Sequence, residues 1–244
     1  MASKHLYVAF DIETTGASLE KDLCFAVGYC AGYSETDIVE EGKWVIDLHQ
    51  IIQPKLLPPL PNGSDGLWET GWQVSGFEMR CFTEFWSKHL DILNRLSDEA
   101  QYDAERYIFY QLNKLLERLE TVGIGRPAEE EAGLRTEKKG LKFSLVFDTV
   151  AYDTTWINHR LQKYGYAQLT AKRDGTGYRS CYELDSFRLG LAGMRPDAPW
   201  EQRKAAVVCS EHRVEGADHD PQVDAHNIFV DFMAALARCG EGQQ

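Results

Sequence analysis

Two acids one residue apart, Asp11 and Glu13, close an apolar run that begins at Leu6, and near the other end of the chain His219 stands five residues before Asp224. In an extended segment successive side chains alternate faces, so Asp11 and Glu13 project to the same side and can share hard cations, while Ile12 points the other way into a core. One metal site built from distant carboxylates is the simplest use of that pattern, and it points to phosphodiester cleavage. Attack at phosphorus must overcome repulsion between anionic oxygens, which two divalent cations about 4 Å apart relieve at both the nucleophile and the leaving group. Oxygen-rich ligand sets favour Mg²⁺ or Mn²⁺ over softer metals.

The elements that must hold these residues follow from periodicity. Residues 5–11 read as a buried strand ending in an acid, and 23–31 and 43–49 as further strands joined by polar turns between Gly32 and Gly42, an antiparallel meander. From Gln53 to Gly76 the residues Pro54, Pro58, Pro59, Pro61, Gly63 and Gly66 forbid a long helix and indicate a surface loop. Its Trp68 and Trp72 serve either as loop anchors or as a base-stacking platform. Helical spacing predicts helices over 81–96 and 98–121, and Gly123 to Gly140 is a charged connection whose neighbourhood carries Lys138, Lys139 and Lys142, either solvated or in reach of phosphates. Leu141–Phe147 is a fourth strand ending at Asp148, Tyr152–Tyr164 an amphipathic helix with Asp153 near its start, and Ser180–Leu184 a short fifth strand. Helices over 199–210 and 221–238 complete an order β-β-β-α-β-α-β-α, the last with Pro221 in its first turn.

At 244 residues the chain suffices for one sizeable α/β core, and no second domain is expected. No apolar run approaches the length of a membrane span, and no basic segment followed by an apolar one opens the chain, so no membrane partner and an intracellular address are expected. Six cysteines without a C-x-x-C pair argue against a zinc ribbon and for free, buried thiols. The net charge of −12 disfavours a long duplex footprint, because Lys and Arg neutralising phosphates supply most non-specific affinity. An enzyme gripping one strand end through cations needs few basic contacts.

With these residues in place, Asp11-Ile12-Glu13-Thr14-Thr15-Gly16 resembles the first motif of the DEDD exonuclease superfamily, the RNase H-like fold shared by proofreading exonucleases, RNase T and oligoribonuclease. Tyr152-Asp153 followed by Thr154-Thr155-Trp156-Ile157-Asn158-His159-Arg160-Leu161 is similar to the second motif, with Asp153 the matching acid. Upstream the sequence departs from the family, since Asp148-Thr149 stands where a His-Asn pair is common, which leaves Asp148 a rival ligand. His219, Asp224 and Ala225 match the third motif of the histidine (DEDDh) branch. Asp218 and Asp220 are more naturally solvated or capping than metal-bound, and His226 is structural. The likeness covers about residues 6–33 and 141–238.

The resemblance implies an RNase H-like mixed five-stranded sheet, an antiparallel meander followed by parallel strands, flanked by helices in a single exonuclease domain spanning 1–244, with loop insertions at about 53–80 and 123–140. It implies two Mg²⁺ ions, replaceable by Mn²⁺, held by Asp11, Glu13, Asp153 and Asp224, with Asp11 bridging them and His219 deprotonating the attacking water. Thr14, Thr15 and Gly16 would meet the terminal nucleotide, and Leu19 would wedge beneath its base or pack as an ordinary core leucine. The implied activity is 3′→5′ removal of nucleoside 5′-monophosphates from single-stranded or mismatched DNA or RNA ends. A catalytically lapsed nucleic-acid-binding module on the same fold is the alternative, against which the intact set of acids speaks. Several relatives form homodimers. Segment 76–86 is similar to exonuclease-like proteins of large DNA viruses, which adds a viral source to the cytoplasmic or nuclear address.

Overall fold

Strand β1 (Leu6–Thr14) has both faces covered, and its alternation divides the interior in two. The computed structural model describes residues 5–48, 54–56, 72–74, 77–121, 143–172, 175, 177–193, 199, 209–216 and 219–241. After β1 come β2 (Cys24–Ser34), β3 (Asp37–Val45), the short strands β4 (Pro54–Leu56) and β5 (Trp72–Val74), and helices α1 (Met79–Glu84), α2 (Leu90–Asp98) and α3 (Glu105–Thr121). Then follow β6 (Phe143–Phe147), α4 (Val150–Lys163), β7 (Cys181–Glu183), α5 (Leu184–Leu191) and α6 (Pro221–Glu241). Five strands form one sheet in the order β3-β2-β1-β6-β7. β1, β2 and β3 are antiparallel neighbours, whereas β6 and β7 run parallel to β1, the mixed sheet expected from the sequence.

Leu6, Val8, Phe10 and Ile12 of β1 enter the larger core, where Leu93 and Leu96 of α2, Ile108, Leu112 and Leu116 of α3, and Trp156, Ile157 and Leu161 of α4 meet them. Ala9 faces the opposite way, into a second core with Cys30, Val146, Leu184 and the α6 residues Phe229, Val230 and Phe232. Side chains two apart share a face, so Asp11 and Glu13 continue the row begun by Ala9 toward α6.

Several expectations shift. The third strand is Asp37–Val45 rather than 43–49, and only Glu35 and Thr36 separate it from β2. Its glutamates and glycine read as a turn because β3 is an edge strand with a solvated side. Gly42 instead pairs with Tyr29, whose ring lies 3.2–3.4 Å from where a Cβ would stand and stacks on Trp44 at 4.6 Å. The helix expected over 81–96 breaks into α1, a single 3₁₀ turn at Trp86–Lys88, and α2, and the next begins at Glu105 rather than at 98. Aromatic anchoring overrides the continuous periodicity: Trp86 is buried, its ring edge-on to Phe25 at 5.2 Å, and its Nε1–H donates to the Thr14 carbonyl at 3.1 Å. Within the presumed 53–76 loop, β4 and β5 pair antiparallel. The 123–140 connection, Trp68, Asp218 and most of the 199–210 helix lie outside the described residues.

One buried ion pair ties the helical layer to the loop after β1. Glu105 accepts the Cys24 N–H at 2.8 Å and the Tyr164 hydroxyl at 2.6 Å, and pairs with Arg160 Nε at 2.7 Å. Arg160 also donates to the carbonyls of Leu19 and Asp22. Removing one member of such a pair strands the other charge in the interior, which costs roughly 3–5 kcal/mol. Glu105→Ala is therefore expected to lower the urea unfolding free energy by about that amount, and Glu105→Leu combined with Arg160→Met to recover most of it; equal losses in the single and double variants would contradict the assignment.

Candidate active site

Asp11 lies opposite Gly28 in the β1–β2 ladder, and Glu13 opposite Ala26. Gly28 is bare for a reason: a Cβ there would come within 1.8 Å of the Pro221 carbonyl oxygen and 2.6 Å of the Gln222 nitrogen. The missing side chain lets the first turn of α6 press directly on β2 across from Asp11. That turn is fixed by Asp220, which accepts the Gln222 N–H on its side chain at 3.0 Å while its carbonyl accepts the Asp224 N–H at 2.9 Å. Pro221 at the first helical position has no N–H to leave unsatisfied. Asp220 is buried rather than solvated, and Lys43 of β3 and Arg95 of α2 donate to the same carboxylate oxygen at 2.8 and 2.9 Å.

The turn delivers Asp224 and His219 together. His219 has φ of +69°, the left-handed conformation rare outside glycine, and its backbone N–H donates to Asp224 Oδ2 at 2.8 Å. Its ring is held by Phe85 and His89, with centroids 4.5 and 4.7 Å away, and Nδ1 stands 3.9 Å from Glu13 Oε1. Ligand atoms of Glu13, His219 and Asp224 lie within 4.8 Å of one another. Asp153 comes from the first turn of α4 and is buried, and its charge acts on both Asp11 and Glu13. Three elements and one loop thus bring together Asp11, Glu13, His219 and Asp224, singled out by their spacing, and Asp153, singled out by the family resemblance.

Burial and mutual repulsion disfavour the charged form of these carboxyls. Desolvation raises the Asp11 carboxyl well above its usual range, and Glu13, Asp224, Asp153 and Asp148 add to the rise. Glu13 is raised well above its usual range by desolvation, then by Asp224, Asp153 and Asp220. Asp153 is pushed up to about 7, mainly by desolvation and then by Asp148, against a backbone hydrogen bond from Thr149. Among the described residues no Lys or Arg pairs with Asp11, Glu13 or Asp153. An all-oxygen donor set with uncompensated buried charge fits hard divalent cations. Asp148, the rival ligand, is exposed at the end of β6; after desolvation it responds most to Asp185 and Arg188, and it does not figure among the charges acting on Glu13.

The residues expected at the nucleotide are placed differently from one another. Thr15 is fully buried and committed to Leu23, whose N–H donates to Oγ1 and whose carbonyl accepts the Thr15 N–H, each at 2.9 Å. Thr14 Oγ1 donates to the Gly16 carbonyl and bonds the Tyr152 hydroxyl at 2.7 Å. Gly16 is closed in, since a Cβ would meet Asp22 Oδ2 at 2.4 Å. Leu19 is half-buried against the larger core. Gly28, Asp220, Phe85 and His89 were not singled out by their spacing. The glycine inside the apolar run 23–31 was the available signal, because an isolated strand glycine marks close backbone approach.

A five-stranded sheet with three antiparallel and two parallel strands, helices on both faces, and an acid pair on the central strand defines the RNase H-like fold. Solved structures of exonuclease I share it. A product-bound exonuclease I superposes with a TM-score of 0.50 at 14% identity, over 99% of this chain and 45% of its own. Escherichia coli exonuclease I in complex with a dA16 oligonucleotide gives 0.50 and 14%, over 96% and 41%, and exonuclease I with the inhibitor BCBP gives 0.50 and 14%, over 98% and 42%. The chain spans less than half the length of these proteins. No family model matches the sequence, nor does any curated protein.

The raised carboxyls make stability depend on pH and on cations. Between the ordinary Asp value of 3.8 and the folded value of about 7, Asp153 keeps its proton in the folded chain and has lost it in the unfolded one. The folded state then binds more protons, so stability falls as pH rises through that window. In metal-free protein the urea midpoint is expected to drop between about pH 5 and about pH 8, to drop less in Asp153→Asn, and to recover at the higher pH on adding Mg²⁺; a midpoint that climbs with pH would contradict the cluster's electrostatics.

Proposed function

We propose that the chain is a divalent-metal-dependent 3′→5′ exonuclease of the histidine (DEDDh) branch that removes nucleoside 5′-monophosphates from single-stranded nucleic acid ends. The observation that carries this reading is the electrostatic cluster of Asp11, Glu13, Asp153 and Asp224, with a histidine beside Glu13 and Asp224 whose ring stands 3.9 Å from Glu13, on an RNase H-like frame. Two Mg²⁺ ions held by the four carboxylates, with Mn²⁺ as a substitute, would supply Lewis acidity to the attacking and departing oxygens. The chain's own residues do the rest.

His219 accepts the proton of the attacking water, and its contacts with Phe85 and His89 keep the imidazole from swinging away. As the water oxygen bonds to phosphorus, the bond to the 3′ oxygen of the shortened strand breaks. Thr14 and Tyr152 form a hydrogen-bonded pair beside the acids, and the half-exposed Tyr152 ring offers a face for stacking the terminal base. Buried and committed to Leu23, Thr15 shapes the pocket rather than donating to substrate. Gly16 lets the chain turn there, and Leu19 lines the floor.

Single-stranded DNA is the favoured substrate class, because a related fold was solved with a dA16 oligonucleotide. The net charge of −12 agrees with a grip on a strand end rather than along a duplex. We read the chain as one exonuclease domain, with the segments at 53–80 and 123–140 as its specificity loops.

A 5′-labelled oligonucleotide incubated with Mg²⁺ is expected to shorten progressively from its 3′ end, and a chelator to stop it. His219→Ala should lower kcat by about 10²–10⁴-fold with little change in KM, the range for losing a positioned general base. Internal fragments, or a ladder insensitive to chelator, would overturn the reading.

A further inference from the structure

On the α6 side of the sheet, a second cluster of metal-ligating side chains lies apart from the carboxylates. Cys30 of β2 and Glu41 of β3 are directly paired across the ladder, and His226 of α6 reaches down to them. One ligand atom from each, the Cys30 sulfur, a Glu41 carboxylate oxygen and a His226 ring nitrogen, lies within 4.8 Å of the other two. Cys30 is fully buried, whereas Glu41 is exposed, so the cluster is walled by protein on one side and open to water on the other. The geometry points to a zinc site made by Cys30, Glu41 and His226, with a water in the fourth position, that clamps β2 and β3 to the first turns of α6.

Three features separate this cluster from an ordinary polar contact. Its donors are a thiol, an imidazole and a carboxylate, the mixed soft and borderline set that selects Zn²⁺, in contrast to the all-oxygen set at Asp11 and Glu13. The His226 ring is oriented from behind, with Nε2 3.2 Å from the His212 carbonyl oxygen. A carbonyl only accepts, so Nε2–H donates to His212; the 2.7 Å contact between Nδ1 and Glu41 Oε2 is a hydrogen bond whose proton a bound ion would replace, while the outer carbonyl keeps the ring oriented as for a metal-ligating histidine. Third, the three ligands come from three different elements, so coordination would cross-link the sheet to α6.

For the His226–Glu41 pair the fit needs little movement. Zinc bonds to nitrogen and oxygen of about 2.0–2.2 Å at tetrahedral angles separate the two ligand atoms by about 3.4 Å, so the His226–Glu41 pair must open by less than 1 Å. As the ion binds, the Cys30 S–H bond gives way to a sulfur–zinc bond, the proton held between His226 Nδ1 and Glu41 Oε2 gives way to bonds from both atoms to zinc, and both protons leave to solvent. His226 lies two residues beyond Asp224 in the same helix, so the clamp would steady the turn that carries Asp224.

Cobalt(II) reports the site, since thiolate-to-cobalt charge transfer marks a bound sulfur. Metal-free full-length chain carrying Asp11→Asn and Asp153→Asn, which weakens the carboxylate cluster, is titrated with Co²⁺ alone. One equivalent is expected to raise a near-ultraviolet charge-transfer band that one equivalent of Zn²⁺ abolishes. The band should vanish in Cys30→Ser, persist in the exposed-cysteine control Cys209→Ser, and need at least tenfold more Co²⁺ in Glu41→Gln and His226→Gln. Because Glu41 is exposed, Glu41→Gln tests the site without threatening the fold. Zn²⁺ should also raise the thermal midpoint of the parent chain and not that of His226→Gln. A parent without the band, a band surviving in Cys30→Ser, or unchanged affinity in Glu41→Gln would overturn the proposal.

Discussion

Bringing Asp11, Glu13, Asp153 and Asp224 within electrostatic reach of one another costs free energy that the rest of the fold has to supply. The carboxyls of Asp11, Glu13 and Asp153 are raised by burial and again by their neighbours, Asp224 among them for the first two, and among the described residues no Lys or Arg relieves the three. The interior makes that arrangement affordable: Leu6, Val8, Phe10 and Ile12 hold β1 in the larger core, while Ala9 and its neighbours pack α6 on the other side. With both faces of β1 anchored, the acids at its end cannot move apart to relax their repulsion. On the proposed function, cations held among the acids would relieve that repulsion.

Two further devices keep the distant parts in place. The bare Gly28 backbone allows α6 to start against β2, and the Asp220 carboxylate, held by Lys43 and Arg95, draws β3 and α2 to that same turn. Basic residues sit on Asp220 rather than on the neighbouring acids: that carboxylate is neutralised by protein and builds the frame, and under the proposed function the others would hold the ions. On the far side, Arg160 and Glu105 link α3, α4 and the carbonyls of Leu19 and Asp22, which positions the helix carrying Asp153. His219 adopts its left-handed backbone where these constraints meet, and strain of that kind persists only where the surroundings over-determine it.

Much of the site was legible in the residues alone. Asp11 and Glu13 share a face because a strand alternates, and the five-residue step from His219 to Asp224 brings a loop histidine back onto the first turn of α6, where the His219 N–H meets the Asp224 carboxylate. The apolar runs likewise placed the sheet's strands along the chain, while the mixed antiparallel and parallel sheet came from the family resemblance and is what the fold shows. What escaped was set by contacts between distant segments. β3 hid behind Glu40, Glu41 and Gly42 because an edge strand tolerates polar residues, and the break between α1 and α2 arises from Trp86 anchoring to the Thr14 carbonyl. Asp220 caps the last helix, one of the two roles expected of it, but its burial was not legible because its partners, Lys43 and Arg95, lie more than a hundred residues away in sequence.

If the cluster is a cation site, its affinity should depend on Asp11, the carboxyl on which Glu13, Asp224, Asp153 and Asp148 all act. Electron paramagnetic resonance of Mn²⁺ added to metal-free protein counts free and bound ions directly. The account predicts saturable uptake near neutral pH, with proton release from the raised carboxyls, and loss of that uptake in Asp11→Asn while the fold remains intact. Equal Mn²⁺ uptake by wild type and Asp11→Asn, or none by either, would contradict it.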